Sequence, residues 1–417
     1  MEPPLHPRQR LLHLLKGIAN STVQRAEIRC QCLHDDDAFE LAGSLKKSES
    51  LLHLDLTACS ISIAGIIQVC QSVPSCLETL TLSCTSLPPH AATALATVLP
   101  VSSSLVELHL DDCRLGIGGL EAMASAFRSA KSTTNDVGWP SLKVLTLSKN
   151  LICSSHHTSQ NFGAALRRLP HLEFLDLSRN RFESCDLEAL QLHHLASLRK
   201  IALWDNRLGP TCGLALRDIL LFCRSLQELN IRNNALGDRG VMDAFSLLEE
   251  EDYREYPLRL LYLSSNLLSD PAAVCLARQL SASFPRLSAL YLTCNDIGSA
   301  GAVEFSRSLS HNSAAFKTLD LYRNKIGNRG GEALAHMICH ENTHLLDLNV
   351  TCNHITNVAI LKAVRFAGKL NRSGRYLLQL HDTVPSALWP HVLEKMNVLL
   401  DVRYYFVSHL PELFLRN

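Results

Sequence analysis

Few residues of this chain have the types and spacing that catalysis or metal binding requires. Cys30 and Cys32 are separated by one residue, and Cys339 is followed directly by His340. Neither pair has the matching second pair that a four-ligand zinc site needs. Adjacent histidines elsewhere are interpreted as solvated loop residues. We therefore predict no metal site and no cofactor.

Nucleotide-binding and nucleophilic motifs are equally scarce. The chain contains no Gly-x-x-x-x-Gly-Lys-Ser/Thr sequence, the loop that cradles phosphates in many nucleotide-binding proteins. Gly116-Ile-Gly-Gly119 follows a pattern repeated along the chain rather than a dinucleotide-binding turn. No pattern arranges the aspartates and arginines as a nucleophile with its base. The chain is predicted to have no catalytic residues and not to be an enzyme.

Protein binding is the chemistry that the sequence supports, because aromatic and arginine side chains recur at repeat positions that are predicted to face the concave surface. Such side chains offer a large contact area with a polar end and dominate interface energetics. The predicted partner-binding residues are Phe174, Arg179, Trp204, Asp205, Arg232, Tyr262, Tyr291, Tyr322 and Arg323. With strands about 4.8 Å apart, the stripe from Trp204 to Tyr322 would span on the order of 20 Å. The alternative is that these rings pack on each other across strands and stiffen the sheet.

These side chains are positioned by a repeated unit. In the copy that starts at Leu287, apolar residues occupy positions 1, 4, 6 and 11, and Asn295 occupies position 9. Other copies carry Asn or Cys at position 9, and the unit recurs roughly every 28 residues. The copies start at Val23, Leu51, Leu77, Leu105, Leu142, Leu172, Leu198, Leu226, Leu258, Leu287, Phe316 and Leu345.

Each copy combines two periodicities. Leu-x-x-Leu-x-Leu contains the two-residue alternation of a short strand, and the later part has helical spacing, as in residues 300–309. We therefore predict an α/β solenoid: a right-handed horseshoe of about twelve strand-helix units, with a parallel sheet on the concave face and helices on the convex face. The ninth-position Asn is expected to hydrogen-bond backbone groups where each strand turns away, so that stacked copies form a ladder.

The repeated motif resembles the ribonuclease-inhibitor-like class of leucine-rich-repeat proteins, and the resemblance covers about Val23 to Lys369. That class includes nuclease inhibitors, sensor regions of innate immune receptors, the GTPase-activating protein for Ran, and flagellar or cytoskeletal scaffolds. The resemblance implies a non-enzymatic interaction scaffold or adaptor that binds a protein partner on the concave face. A flagellar or cytoskeletal assembly component is one alternative.

A Ran-like GTPase activator is the other alternative. Asn206-Arg-Leu-Gly-Pro210 resembles a turn of the Ran-activating proteins, and the resemblance implies that Arg179 or Arg207 could stabilise a transition state. The chain shows no counterpart of the acidic C-terminal tail usual in that family.

One repeat domain is predicted over residues 23–369, with a helical cap at 1–22 and a degenerate repeat plus helical cap at 370–417. The first segment could instead be an amphipathic targeting helix, and residues 385–417 could instead be a docking module. Polar insertions near 129–140 and 249–257 are expected to be surface loops.

Composition narrows the partner and the compartment. Lys plus Arg number 40, Asp plus Glu number 40, and 47% of residues are hydrophobic. The formal charge of zero argues against nucleic-acid binding, and no run of 18 apolar residues predicts a membrane span. Fifteen cysteines, many at apolar positions, are interpreted as reduced thiols. We expect a cytoplasmic protein, and association with the nucleus, the cytoskeleton or a flagellum is compatible with the sequence. The sequence leaves the identity of the partner and the oligomeric state open.

Overall fold

The computed structural model describes residues 7–99, 104–129, 141–152, 156–245, 256–310, 315–340, 345 and 347–355. The chain divides into two compact units, Met1–Leu236 and Gly237–Asn417, which we call unit 1 and unit 2. The division falls inside the repeat domain predicted over 23–369, whose boundaries stay predictions. The segment 370–417 and most of the two polar insertions lie outside the described residues.

Unit 1 alternates short strands with helices. Its helices are α1 (Pro7–Ala19), α2 (Asp35–Leu45), α3 (Ile63–Cys70), α4 (Pro89–Val98), α5 (Gly116–Ser129), α6 (His156–Leu166), α7 (Ser184–Leu190) and α8 (Gly213–Phe222). Its strands are β1 (Arg25–Glu27), β2 (Cys32–Leu33), β3 (His53–Asp55), β4 (Ser60–Ile61), β5 (Thr79–Thr81), β6 (Glu107–His109), β7 (Val144–Thr146), β8 (Phe174–Asp176), β9 (Lys200–Ala202) and β10 (Glu228–Asn230). Short 3-10 helices lie at Leu192–His194 and Pro210–Cys212.

Unit 2 has the same alternation. Its helices are α9 (Gly237–Phe245), α10 (Asp270–Ala282), α11 (Ser299–Leu309) and α12 (Gly327–His340). Its strands are β11 (Leu260–Tyr262), β12 (Ala289–Tyr291), β13 (Thr318–Asp320) and β14 (Asp347–Asn349).

The strands of each unit pair in parallel and in register. In unit 1 the order is β1-β3-β5-β6-β7-β8-β9-β10, so that Leu54 lies opposite Leu80 and Leu80 opposite Leu108. In unit 2 the order is β11-β12-β13-β14, and Leu290 lies opposite Leu319. Helices of consecutive repeats pack side by side. Parallel strands joined by helices confirm the predicted α/β class, with one strand and one helix per repeat.

Leucines at the predicted positions build the core. Leu287, Leu290, Leu292 and Ile297 are at most 2% exposed, as the repeat template predicts. Tyr291 lies between two of these leucines and is only half-buried. Because successive side chains of a strand point to opposite faces, the residues that alternate with the core leucines form the second face of the strands, which we call the strand face.

An asparagine ladder ties the end of one strand to the next. Asn295 donates through Nδ2 to the carbonyls of Leu263, at 3.2 Å, and Leu292, at 2.9 Å. Its Oδ1 accepts from the backbone N–H groups of Asn266, at 2.9 Å, and Leu268, at 3.1 Å. The buried ladder residues are Asn150, Asn180, Asn206, Asn234, Asn266, Asn295, Asn324 and Asn353. The predicted ladder is confirmed.

Other small polar residues replace Asn in the early copies. Thr85 donates its hydroxyl to the Leu56 carbonyl, at 2.7 Å, and accepts from the Cys59 N–H, at 3.2 Å. The Cys113 thiol donates to the Leu82 carbonyl, at 3.1 Å. Hydroxyl and thiol groups therefore perform part of the task of the amide, which explains why buried cysteines fall at this repeat position.

The eighth position of the repeat turns the backbone through the left-handed region. The angle φ is +58° at Arg179, +56° at Asp205, +54° at Asn233 and +52° at Arg323. Such a conformation costs an L-residue roughly 1–2 kcal/mol, and the hydrogen bonds of the ladder and the adjacent strands offset this cost. The turn places these side chains directly after the strand ends, beside the seventh-position residues.

Helix α1 packs against α2 at the start of unit 1. Its Leu11, Leu15 and Ile18 are buried, and their spacing matches one face of a helix. The helix thus covers apolar surface of the first repeats.

Candidate functional site

Trp204 lies in the repeat between those of two arginines on the strand face of unit 1. The guanidinium carbon of Arg232 is 4.6 Å from the centroid of the Trp204 ring, and that of Arg179 is 5.5 Å away. A cation within about 6 Å of an indole centroid is attracted by the ring quadrupole. Trp204 is half-buried and both arginines are exposed. The structure therefore brings together three of the residues predicted from the sequence.

Backbone hydrogen bonds set the positions of these side chains. The Arg179 N–H donates to the Trp204 carbonyl, and the Asp205 N–H donates to the Arg232 carbonyl, each at 2.9 Å. These bonds continue the backbone pairing of β8, β9 and β10 beyond the ends of the strands. Side chains of adjacent repeats are therefore held about 4.8 Å apart, which is close enough for a guanidinium to reach the neighbouring ring.

Asp205 forms an ion pair with only one of the two arginines. The Arg179 Nε lies 3.2 Å from Asp205 Oδ2, and Asn233 Nδ2 donates to Asp205 Oδ1 at 2.6 Å. Arg232 forms no ion pair with any residue in the described part of the chain. The N–H donors of Arg232 are therefore available to an external acceptor.

Phe174 does not join this cluster directly. It begins β8 and lies opposite Lys200 in the register of β8 and β9, whereas Trp204 follows the other end of β9. Its ring is half-buried on the strand face. The two aromatic side chains lie at opposite ends of neighbouring strands.

Two tyrosines stack on the strand face of unit 2. Tyr262 and Tyr291 lie opposite each other in the register of β11 and β12. Their ring centroids are 4.6 Å apart and the ring planes differ by 4°. Both rings are half-buried, so the stack stiffens the sheet and also presents an aromatic edge to solvent.

Tyr322 and Arg323 follow strand β13 in unit 2. The Tyr322 N–H donates to Asp320 Oδ1 at 3.0 Å, and the Arg323 N–H donates to the Thr351 carbonyl at 3.0 Å. Burial, together with the neighbouring Cys352 thiol, raises the pKa of the Tyr322 phenol above its ordinary value. The phenol therefore stays neutral near pH 7 and can act as a hydrogen-bond donor.

A polar network earlier in unit 1 was not predicted from the sequence. His109 lies 3.6 Å from Glu107 Oε2 through Nε2, and 3.2 Å from the Thr146 hydroxyl through Nδ1. Thr146 donates to Asp111 Oδ2 at 2.6 Å. Burial raises the pKa of Asp176, hydrogen bonds with Ser178 oppose that rise, and the charge of Asp111 adds a smaller increase. The available signal was that His109 and Thr146 share the fifth position of adjacent copies.

The Asn206–Pro210 turn serves the repeat itself. Asn206 Oδ1 accepts from the N–H groups of Asn180, at 3.0 Å, and Phe182, at 3.1 Å. Gly209 has a φ of +65°, and Pro210 begins a 3-10 helix. The hydrogen bonds of Asn206 and the turn geometry of Gly209 and Pro210 therefore explain why these residue types occur here, and no contact with a GTPase is needed to explain them.

The described residues include no group of three or more His, Cys, Asp or Glu side chains that could hold a metal ion. No helix among them is long and apolar enough to span a membrane. The side chains of Cys339 and His340 lie outside the described set.

Family models identify repeats along the chain. A model described as a leucine-rich repeat matches residues 101–124, 222–243, 287–306, 315–335 and 341–362. A second model with the same description matches residues 171–192. Together these matches fall in both units and coincide with copies read from the sequence.

Relatives of known name share the repeats over part of their length. Ribonuclease inhibitor of Sus scrofa is 28% identical over 243 residues, which are 56% of this chain and 51% of that protein. NACHT, LRR and PYD domains-containing protein 12 of Homo sapiens is 31% identical over 222 residues, 51% of this chain and 20% of that protein. The chain thus spans about half of the first relative and a fifth of the second. An internalin structure from Listeria monocytogenes has a TM-score of 0.46 at 16% identity, covering 84% of this chain and 92% of that one.

Proposed function

We infer the function of this chain from its class, because it is a leucine-rich-repeat protein of the ribonuclease-inhibitor-like class. Proteins of this kind are generally interaction modules, and stacked repeats present extended binding surfaces. Our proposal is a non-enzymatic scaffold or adaptor that binds a protein partner on its strand face. The name of the porcine relative, an inhibitor of a ribonuclease, supports a protein as the partner.

The observation that carries this proposal is the Trp204 ring with its two arginines. The ring is held by Arg179 and Arg232 before any partner arrives, so binding would immobilise few additional rotatable bonds. Tryptophan and arginine are also the residue types most enriched among interface hot spots. A half-buried, pre-positioned indole is thus suited to anchor a partner.

The tyrosines of unit 2 support the same proposal less directly. Tyr262 and Tyr291 bury part of their surface against each other, which is the packing role considered as the alternative. Their remaining exposed edges and the Tyr322 phenol offer apolar contact with hydrogen-bonding groups. We propose that they extend the contact surface within unit 2.

A reducing compartment fits the cysteines of the chain. Cys59 and Cys113 serve as buried ladder residues with free thiols, and Cys30, Cys84 and Cys185 are free and exposed. Exposed free thiols are tolerated where glutathione keeps them reduced. We propose the cytosol as the site of action, with nuclear or cytoskeletal and flagellar assemblies compatible.

Capture from native lysate tests the proposal. The immobilised chain is compared with the double variant Trp204→Ala/Tyr291→Ala, and bound proteins are mapped by crosslinking mass spectrometry. We expect the variant to lose a partner whose crosslinks fall beside the strand face, while its melting curve stays cooperative.

The matched control removes two exposed rings from helices. Phe39 and Phe222 are 46% and 51% exposed, and Phe39→Ala/Phe222→Ala should retain the partner. Equal capture by the chain and by the Trp204/Tyr291 variant, or crosslinks confined to the helices, would refute binding at the strand face.

A further inference from the structure

Three exposed arginines lie in the repeat of Trp204 and in the two repeats beside it. Arg181, Arg207 and Arg232 are exposed and form no ion pair with the described residues. The nearby Asp205 is already engaged by two donors. Glu183 begins the turn into α7, and its backbone pairs with Arg207 in an isolated bridge, but its exposed carboxylate forms no ion pair with a described residue. The three guanidinium groups are therefore not neutralised by an ion pair within the described residues.

The three arginines lie on adjacent repeats. Arg181 and Arg207 both occupy the tenth position, and the Arg207 N–H donates to the Phe182 carbonyl at 2.8 Å. Arg232 belongs to the next repeat and lies over Trp204 at 4.6 Å. Two inter-strand steps separate the first and last of these repeats, a span of about 10 Å. An extended peptide covers that distance in about three residues.

Acidic side chains without a Lys or Arg partner lie on the strand face of unit 1 before the repeat of Trp204. Glu107, Asp111 and Asp176 lie on the earlier strands or directly after them, and none forms an ion pair with Lys or Arg among the described residues. Glu107 and Asp111 thus lie on earlier repeats than the three arginines, whereas Asp176 shares the repeat of Arg181, and the whole chain has a formal charge of zero. A long polyanion would meet the acidic repeats, whereas a short acidic segment fits the arginine edge alone.

We propose that the edge formed by Arg181, Arg207 and Arg232, with Trp204 beside it, binds a short Asp- or Glu-rich segment of the protein partner. This inference rests on the proposed scaffold function. The planar guanidinium of Arg232 matches a carboxylate through two parallel hydrogen bonds. The indole covers the aliphatic part of the segment, and the Arg181 and Arg207 charges complement a second carboxylate.

Peptide titration of the full chain tests the proposal. Hexaglutamate is titrated while tryptophan fluorescence is recorded, and the signal of a Trp204→Phe variant is subtracted because the chain has three tryptophans. We expect saturable binding that weakens as salt is raised, with hexaglutamine and hexalysine inactive. Arg232→Gln should weaken hexaglutamate binding about tenfold, since a charge-assisted pair is lost.

Arg224→Gln is the matched control. Arg224 is exposed in unit 1 and follows α8, so its removal changes the net charge equally but leaves the strand face intact. Affinity should stay within about twofold of the unchanged chain, and every variant should unfold cooperatively, with at most a small shift of its melting curve from that of the unchanged chain. Equal weakening by the two substitutions, no binding of hexaglutamate, or tighter binding of hexalysine or of a single-stranded oligonucleotide would overturn the proposal.

The native partner separates this inference from the proposed function. If Trp204→Ala/Tyr291→Ala loses the partner while Arg232→Gln keeps it and hexaglutamate fails to compete, the scaffold function stands and the acidic-segment inference is wrong. If all variants keep the partner, the strand-face function itself is wrong.

Discussion

The guanidinium of Arg232 lies closer to the Trp204 ring than that of Arg179, at 4.6 Å against 5.5 Å. Arg179 also forms an ion pair with Asp205, whereas Arg232 contacts the ring and forms no ion pair with a described residue. The two arginines therefore differ in role: Arg179 is partly neutralised, and Arg232 holds the indole while its donors face solvent.

This difference predicts a measurable coupling between Trp204 and Arg232. An exposed cation–π contact contributes about 0.5–1 kcal/mol. A double-mutant cycle with Trp204→Leu and Arg232→Gln, measured by urea unfolding, should return a coupling of that size. The same cycle with Arg224→Gln should return a coupling near zero. A coupling that is equal in the two cycles would contradict the contact.

Adjacent residues of strand β12 should respond in opposite ways to one substitution. Leu290 is 0% exposed, so Leu290→Asn removes core volume and buries an amide, and it should cost at least about 3 kcal/mol of unfolding free energy. Tyr291→Asn should cost about 0.5–1.5 kcal/mol, mainly through loss of the stack on Tyr262. Asn avoids a second carboxylate opposite Asp320.

Urea unfolding followed by circular dichroism measures both changes. The comparison is internal, because the two sites differ by one residue and receive the same side chain. Similar losses at both sites would mean that the strand has no exposed face, against the alternation read from the sequence.

Much of this architecture was predictable because it depends on local periodicity. The spacing of Leu287, Leu290 and Leu292 forces alternate side chains into the core, and a ninth-position Asn295 has an obvious task at the end of a strand. The outward direction of Tyr291 followed from the same alternation. These inferences need only the geometry of one strand.

The pairings on the strand face were not predictable in the same way. Arg179 and Asp205 adopt left-handed backbone at a position without glycine, so no residue type marked the turn that aims them. The contact of the Arg232 guanidinium with the Trp204 ring depends on the register between repeats and on side-chain rotamers. The same holds for the contact of His109 with Thr146. The sequence places these residues in columns but does not say which neighbours touch.

The ladder amide of Asn295 should be one of the costliest polar side chains to remove. Asn295→Ala leaves the carbonyls of Leu263 and Leu292 and the N–H groups of Asn266 and Leu268 without their partner. Unsatisfied buried groups cost about 1–3 kcal/mol each when water cannot reach them. We expect a total loss of roughly 3 kcal/mol, allowing for relaxation of the turn.

Asn295→Thr provides the graded comparison. Thr85 fills the same repeat position with one donated and one accepted hydrogen bond, so Thr should restore part of the stability lost with Ala. Asn20→Ala, at an exposed position where the asparagine side chain forms no hydrogen bond with the described residues, should change unfolding by less than about 1 kcal/mol. Thermal and urea unfolding of the three variants give the ranking, and a Thr variant no better than Ala would argue against the ladder as the cause.

Buried thiols should make unit 1 less stable at alkaline pH. Burial raises the pKa of Cys70, Cys212 and Cys223 to about 12 each, whereas an unfolded thiol titrates near 8.5. Above that pH the unfolded chain loses protons that the folded chain keeps, so the stability present below about pH 8.5 declines as pH rises toward 12. Between about pH 8 and pH 10.5, the urea midpoint should therefore fall further in the unchanged chain than in Cys70→Ala/Cys212→Ala/Cys223→Ala. Tyrosines and lysines titrate in both chains, so their contribution cancels in this comparison. Cys30→Ala, which removes an exposed thiol, should keep the full decline; the same decline in the triple variant would assign the alkaline instability to other groups.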